Sequence, residues 1–462
     1  MSVARSEHRS SILVAALSCA FGTTLLVATT ALSAVVRTSP ISEHSTAQIA
    51  LFAVAIVFIV IAVYVGSVVT ANTFATIIAG RTRTIALMRV LGSSASSQRR
   101  AVSREGLLVG VYGAIIGVIV GLGVGILVIR VAVALKAMPD LSYSYVSPVL
   151  LAPPLIVVLT TWAASWVGSR RVLLVTPMQA LGGSVERNTT EVAVHRGKHR
   201  SALVLVIVGL LLIAFGIVVG LHSPFGVLIS MLGGIASFSG IVLGAEMIIP
   251  RALRLTGRLM GTTAPAKLAA ANAVRYPERS ARTAIGLVIG VTLVTMFIVA
   301  SQSFQTMIVN AQAANPDLYA GAGTVLNVIA AVFSVLVGFS ALIAAIGVVN
   351  NLSLSGIQRQ RELGLLRALG FSRVQVRQTI VAEAGQITIT AVLLGLILGT
   401  FYGWVGAQSL LGDLQHGVVS PTIPWALIVI AAAVAVALTL IASIAPTRRA
   451  LKISPVSALA IE

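Results

Sequence analysis

The chain has 462 residues, 57% of them hydrophobic and only 10% charged, with a formal charge of +19. Soluble domains carry about 25% charged residues, so this composition excludes a water-soluble fold. The basic residues fall in short segments between apolar runs, which is the pattern of membrane topology and not of nucleic-acid binding. The one cysteine, Cys19, lies in the first apolar run, and the histidines show no ligand spacing; disulfide frameworks and cysteine metal sites are excluded.

A helix needs about 20 apolar residues to cross roughly 30 Å of hydrocarbon. The runs at 11–36, 48–78, 106–135, 148–169, 201–221, 225–249, 283–304, 325–351, 384–410 and 423–445 meet that requirement and predict ten spans. The first run is longer than a signal-peptide core and is read as an uncleaved span. All Lys and Arg except Arg37, Arg130 and Lys136 fall on one side of this topology, so both termini are expected in the cytoplasm, with the chain multi-pass in the cell membrane. The loops on the other side are too short for a folded domain.

An internal repeat organises these spans. RTRTIALMRVLGSSASSQRRAVSREG (81–106) aligns without a gap on RQRELGLLRALGFSRVQVRQTIVAEA (359–384), at an offset of 278. Arg81, Arg83, Arg89, Gly92, Arg99 and Glu105 match Arg359, Arg361, Arg367, Gly370, Arg377 and Glu383. The same offset joins Asn72 to Asn350 and Arg170–Arg171 to Arg448–Arg449, and apolar similarity alone would not keep such residues in register. A weaker match sets RSEHRS at 5–10 against RYPERS at 275–280. The expected fold is all-α: a first four-span unit (1–181), a basic linker (182–200), a two-span insert (201–250), an amphipathic basic segment at the membrane surface (251–282) and a second four-span unit (283–462). The two units are parallel.

Each copy reads as a short amphipathic helix, a sharp break and a second helix running into a span. Gly370 suits the left-handed position after a helix end. Ser372 caps the second helix, with Gln375 three residues later as in a capping box. Gly92 and Ser94 take those roles in the first copy, where Thr84 replaces Glu362 and SSASS replaces FSRVQ. A lone basic cluster of this kind would be ordinary positive-inside charge. Two copies in register on a helix–break–helix frame favour docking of a cytoplasmic partner. Glu105 and Glu383 are either early-helix acids favoured by the dipole or ion-pair partners of these arginines.

This pattern resembles the FtsX/MacB-like permease superfamily of ABC transporters, through 359–384, ANAVRYPERSAR (271–282) and RRALKISPVSALAIE (448–462). The resemblance implies that Arg81, Arg83, Arg89, Gly92, Glu105, Arg359, Arg361, Glu362, Arg367, Gly370, Arg377 and Glu383 form coupling elements. It implies two copies of a cytoplasmic ABC ATPase that bind ATP and Mg, with one permease chain per complex acting as a fused pseudo-dimer among membrane lipids. No cofactor or metal is expected in this chain. A phosphate-binding loop needs G-x-x-x-x-G-K-[ST]; of Lys136, Lys198, Lys267 and Lys452 only Lys198 follows a glycine, and His199 follows it.

The expected function is ATP-driven export or extraction of a hydrophobic or amphiphilic cargo such as a lipid, an antimicrobial peptide, a haem-like molecule or a drug. A membrane scaffold controlling an extracellular partner is a second reading, and a secondary carrier a third. The carrier reading is weakened because Arg130 and Glu246 lie near span ends rather than at mid-membrane. Gly113, Gly117, Gly121 and Gly125 share one face of span three, where a neighbouring helix can approach closely. Gln302, Asn327 and Asn350 are the candidates for contact with cargo, against the plainer role of interhelical hydrogen bonding.

Overall fold

The computed structural model describes residues 2–37, 92–134, 138–145, 148–169, 196–259, 264–275, 277–314, 369–415 and 417–452, with single positions between 56 and 87 and between 330 and 342. Among these the chain is all helix, with no strand. In order the helices are α1 (Ser2–Arg37), α2 (Ala95–Ala134), α3 (Ala152–Gly168), α4 (Arg196–Gly220), α5 (Gly226–Leu243), α6 (Ala245–Leu259), α7 (Ala264–Arg275), α8 (Pro277–Ala314), α9 (Arg373–Gln415) and α10 (Trp425–Lys452). Seven of them carry segments long and apolar enough to cross a membrane: Ser11–Val35, Ser96–Ala134, Pro148–Val167, His199–Gly220, Gly226–Leu243, Ala284–Ala314 and Arg373–Gln415. These coincide with seven of the expected spans. The apolar part of α10, Trp425–Ala437, is shorter. The runs at 48–78 and 325–351 lie mostly outside the described residues, so the chain is a multi-pass helical membrane protein for which seven candidate crossings are described.

Glycine spacing sets how the helices meet. A Cβ placed on Gly121 of α2 would stand 2.7 Å from both the Ala20 carbonyl oxygen and Thr23 Cβ of α1. A Cβ on Gly399 of α9 would stand 2.6 Å from the Thr292 carbonyl oxygen and 2.5 Å from Thr295 Cβ of α8. Only glycine permits backbones this close. Thr24 uses the approach to donate its hydroxyl to the Gly121 carbonyl at 3.0 Å.

The two pairs keep one register. Gly117 and Gly125 meet Cys19 and Val27, while Gly395 and Gly403 meet Val291 and Val299. The glycines keep the repeat's offset of 278, whereas their partners are related by an offset of 272. The packing therefore shifts the RSEHRS–RYPERS match, whose offset is 270, by two positions. It also puts six more residues between the packed positions Thr295 and Gly399 than between Thr23 and Gly121.

The core lies where the two halves face each other. Phe21 of α1 packs on Phe297 of α8 with ring centroids 6.4 Å apart, and on Phe339 at 5.9 Å. Leu25, Ile249, Leu253, Val288 and Ile289 are buried in the same cluster. Between the halves α5 presents Ser237, Phe238 and Ser239. Phe238 stacks edge-on against Tyr64 at 6.3 Å and Tyr402 at 6.0 Å. The flanking serines bond the same two tyrosines: Tyr64 to Ser239 at 2.8 Å and Tyr402 to Ser237 at 2.9 Å. The insert thus touches both halves through three consecutive side chains. The stretch expected as one surface segment, 251–282, forms the end of α6, then α7 and the first turns of α8.

Candidate coupling site

The helix–break–helix element is described from its break onward. Gly370 has φ 96° and Gly92 has φ 95°, the left-handed conformation that β-carbon-bearing residues avoid. A Cβ at either position would meet nothing within 4 Å, so the requirement is conformational and not one of space. Two residues later each chain caps a long helix. The Ser372 amide donates to Gln375 Oε1 at 2.9 Å, and the Gln375 amide donates to Ser372 Oγ at 3.2 Å, a complete capping box. In the first copy the Ser97 amide donates to Ser94 Oγ at 3.1 Å, but serine is too short to return the bond.

The residues flanking each cap differ in kind. Phe371 packs on buried Val376, a hydrophobic staple that fixes the chain's entry into α9. At the corresponding positions Gln98 Nε2 donates to Ser93 Oγ at 2.8 Å, so a polar pair holds the first copy. The helix begun by each cap continues without interruption into a membrane segment, α2 or α9. Each break is therefore joined to a membrane segment by one unbroken helix.

The site residues expected from the sequence divide by position. Gly92, Glu105, Gly370, Arg377, Glu383 and Gln302 are described; Arg81, Arg83, Arg89, Arg359, Arg361, Glu362, Arg367, Asn327 and Asn350 lie outside the described residues. Arg377 is exposed, Glu105 is half-buried and Glu383 is 6% exposed. Arg99, the counterpart of Arg377, is half-buried and its guanidinium lies 4.3 Å from the Trp166 ring centroid, a cation–π contact between α2 and α3. Gln302 sits on α8 at the opposite end from the coupling elements, half-buried, its carbonyl accepting from Thr306 at 2.9 Å. The structure does not bring it to the described coupling residues.

Several polar contacts were not anticipated. Gln386 of α9 is fully buried and donates Nε2 to the Leu253 carbonyl of α6 at 2.7 Å, while Thr256 and Thr390 hydroxyls meet at 2.6 Å. At the far end of α9, Gln408 pins the following loop at two points, donating to the Gly417 carbonyl and accepting from the Val419 amide, each at 2.9 Å. Trp404 adds a bond to the Val419 carbonyl at 2.6 Å. The loop so held closes a groove of about 590 Å³ walled by Leu396, Ile397, Thr400, Trp404, Leu427 and Ile428. In another far-end loop Tyr143 donates to the Pro139 carbonyl at 2.6 Å; burial first, then the charges of Asp140 and Tyr145, push its phenol above the ordinary tyrosine value. An amide inside an apolar run is the sequence signal that would have drawn attention to Gln386 and Gln408.

Fold and site together define a multi-pass helical membrane protein that carries the same break and cap twice, each on a helix entering the bilayer. The FtsX-like permease C-terminal domain model matches at 56–173 and again at 334–455, together just over half of the chain, and the chain belongs to the FtsX-like permease family. The starts of the two matches, 56 and 334, keep the offset of the sequence repeat. An uncharacterized ABC transporter permease of Methanocaldococcus jannaschii is 28% identical over 141 residues, 30% of this chain and 35% of that protein. The uncharacterized ABC transporter permease YknZ of Bacillus subtilis is 26% identical over 146 residues, 32% of this chain and 35% of that protein. The matched stretch thus spans about a third of each relative's length.

Proposed function

We propose that this chain is the membrane permease of an ABC-type transporter and that ATP is hydrolysed by a separate cytoplasmic subunit docked on it. The observation that carries this reading is the doubled break: Gly92 and Gly370 share φ near 95°, and each precedes a capped helix that runs into a membrane segment. A partner pressing on 81–92 and 359–370 has a stiff path into the bilayer. The chain is a fused pseudo-dimer, one per complex, taking two ATPase subunits with their ATP and Mg. This is supported by the double family match and by the shared register of α1–α2 and α8–α9.

The cargo is hydrophobic or amphiphilic and is exported or extracted. The short far-end loops and the apolar groove beside Trp404 support a molecule that enters from the bilayer. The test is reconstitution of the chain with an ABC ATPase. Arg89→Glu with Arg367→Glu is expected to lower complex formation or ATP turnover by tenfold or more, the scale of about 1.4 kcal/mol expected for charge-assisted contacts at a docking surface. If both survive intact, the coupling assignment is wrong.

A further inference from the structure

α6 follows α5 with only Gly244 between them, so it leaves the membrane at the end where the coupling elements lie. One face is committed to the protein: Ile249, Leu253 and Thr256 are buried against the core, and Gln386 and Thr390 of α9 bond it at Leu253 and Thr256. The opposite face carries Arg251, Arg254 and Arg258, all exposed, around Leu255, which is 66% exposed. The Arg251 guanidinium folds back on the Met247 carbonyl at 2.9 Å. From Met247 to Pro277 the sequence has no Asp or Glu; the acid of α6 is Glu246, in its first turn.

An exposed leucine ringed by arginines suits the boundary between headgroups and acyl chains. The apolar side chain enters the hydrocarbon edge while the guanidinium groups bind phosphate. Basic clusters placed directly after a membrane helix recognise anionic lipid. We propose that α6 is an anionic-phospholipid site, with Arg251, Arg254 and Arg258 holding headgroup phosphates of the adjacent leaflet and Leu255 seated among their chains.

The site serves one half of the molecule. The first-copy counterparts of Gln386 and Thr390 are Leu108 and Tyr112, apolar or aromatic side chains that are 55% and 56% exposed, where Gln386 and Thr390 are buried. Lipid bound at α6 therefore bears on α9 and on the break at Gly370, and not on α2. The inference does not depend on an ATPase partner, so it stands or falls separately from the transport reading.

The test uses the full chain carrying Leu255→Cys, in nanodiscs of phosphatidylcholine alone or mixed with phosphatidylglycerol. The other thiol, Cys19, is buried. A water-soluble maleimide is expected to react at least about fivefold more slowly when phosphatidylglycerol is present, the preference that one arginine near an anionic surface confers. The protection is expected to fade with added salt and to vanish with Arg251→Gln, Arg254→Gln and Arg258→Gln combined. Native mass spectrometry of the chain without Leu255→Cys gives an independent readout: phosphatidylglycerol is retained, and is lost in the triple glutamine variant. Equal rates in the two lipids, protection that survives the triple variant, or protection that requires an added ATPase subunit would each overturn the proposal.

Discussion

Gly92 and Gly370 occupy matching positions in the two halves with φ of 95° and 96°, in space open enough to admit a side chain. The backbone turn is thus the same in both halves, while what holds it is not. The second copy is fixed by a two-way capping box and an apolar staple; the first has a one-way cap and a polar pair in place of the staple. The two breaks are alike in shape and unlike in the contacts that hold them.

Replacing Gly370 by alanine forces a β-carbon residue into the left-handed region, at a cost of about 1–2 kcal/mol. Asparagine tolerates that region better. Gly370→Ala is therefore expected to lower the thermal unfolding midpoint of the purified chain, with Gly370→Asn falling between it and the parent. Since nothing crowds the site, alanine and asparagine behaving alike would show that φ is not what selects glycine here.

Ser97→Gln should install in the first copy the bond that the second already has. The longer side chain reaches back to the Ser94 amide as Gln375 does to Ser372, for a gain of a few tenths to about 1 kcal/mol at the helix start. Hydrogen exchange at residue 94 is expected to slow several-fold, while exchange in the second copy stays unchanged. The converse change, Ser372→Ala, should cost about 1 kcal/mol and speed exchange at Gln375.

Much of this was legible in the chain because it rests on local chemistry. Gly370, Ser372 and Gln375 announce their turn and cap within six residues, and the glycine ladder of α2 announces a close helix neighbour. What the ladder does not carry is the neighbour's identity. That Thr23 meets Gly121 as Thr295 meets Gly399 depends on the folded register of two helices about a hundred residues apart. The Gln386–Leu253 bond was hidden for a similar reason. One partner is a backbone carbonyl, which leaves no mark in a sequence, and the surrounding apolar residues look alike whether they face protein or lipid.

The ladder gives a direct contrast among glycines. Gly121→Val and Gly399→Val place side chains against the backbones of α1 and α8 and are expected to cost about 1–3 kcal/mol or more through overpacking. Gly123 and Gly406 lie on the same two helices, and a Cβ at either would meet nothing within 4 Å. Their replacement by alanine is expected to be neutral or to stabilise by up to about 1 kcal/mol, because alanine favours the helix. Thermal melts of the four variants separate the two classes; similar losses at all four would mean that packing does not distinguish these faces.

The hold of α9 on α6 can be measured as a coupling between Gly257 and Gln386. A Cβ on Gly257 would stand 2.6 Å from Gln386 Nε2 and 3.0 Å from Ala270 Cβ, so Gly257→Ala must displace the amide from the Leu253 carbonyl. Alone, that change is expected to destabilise by about 1–3 kcal/mol, net of alanine's better helix propensity. Gln386→Ala alone loses the same hydrogen bond and leaves a void. In the double variant the alanine at 257 meets no amide and keeps only the Ala270 contact at 3.0 Å, so the part of its cost due to Gln386 should disappear, giving an interaction energy of about 1 kcal/mol or more. Unfolding of the four purified forms in one detergent closes the cycle. Additivity within about 0.5 kcal/mol would show that Gln386 fills space beside α6 without holding it.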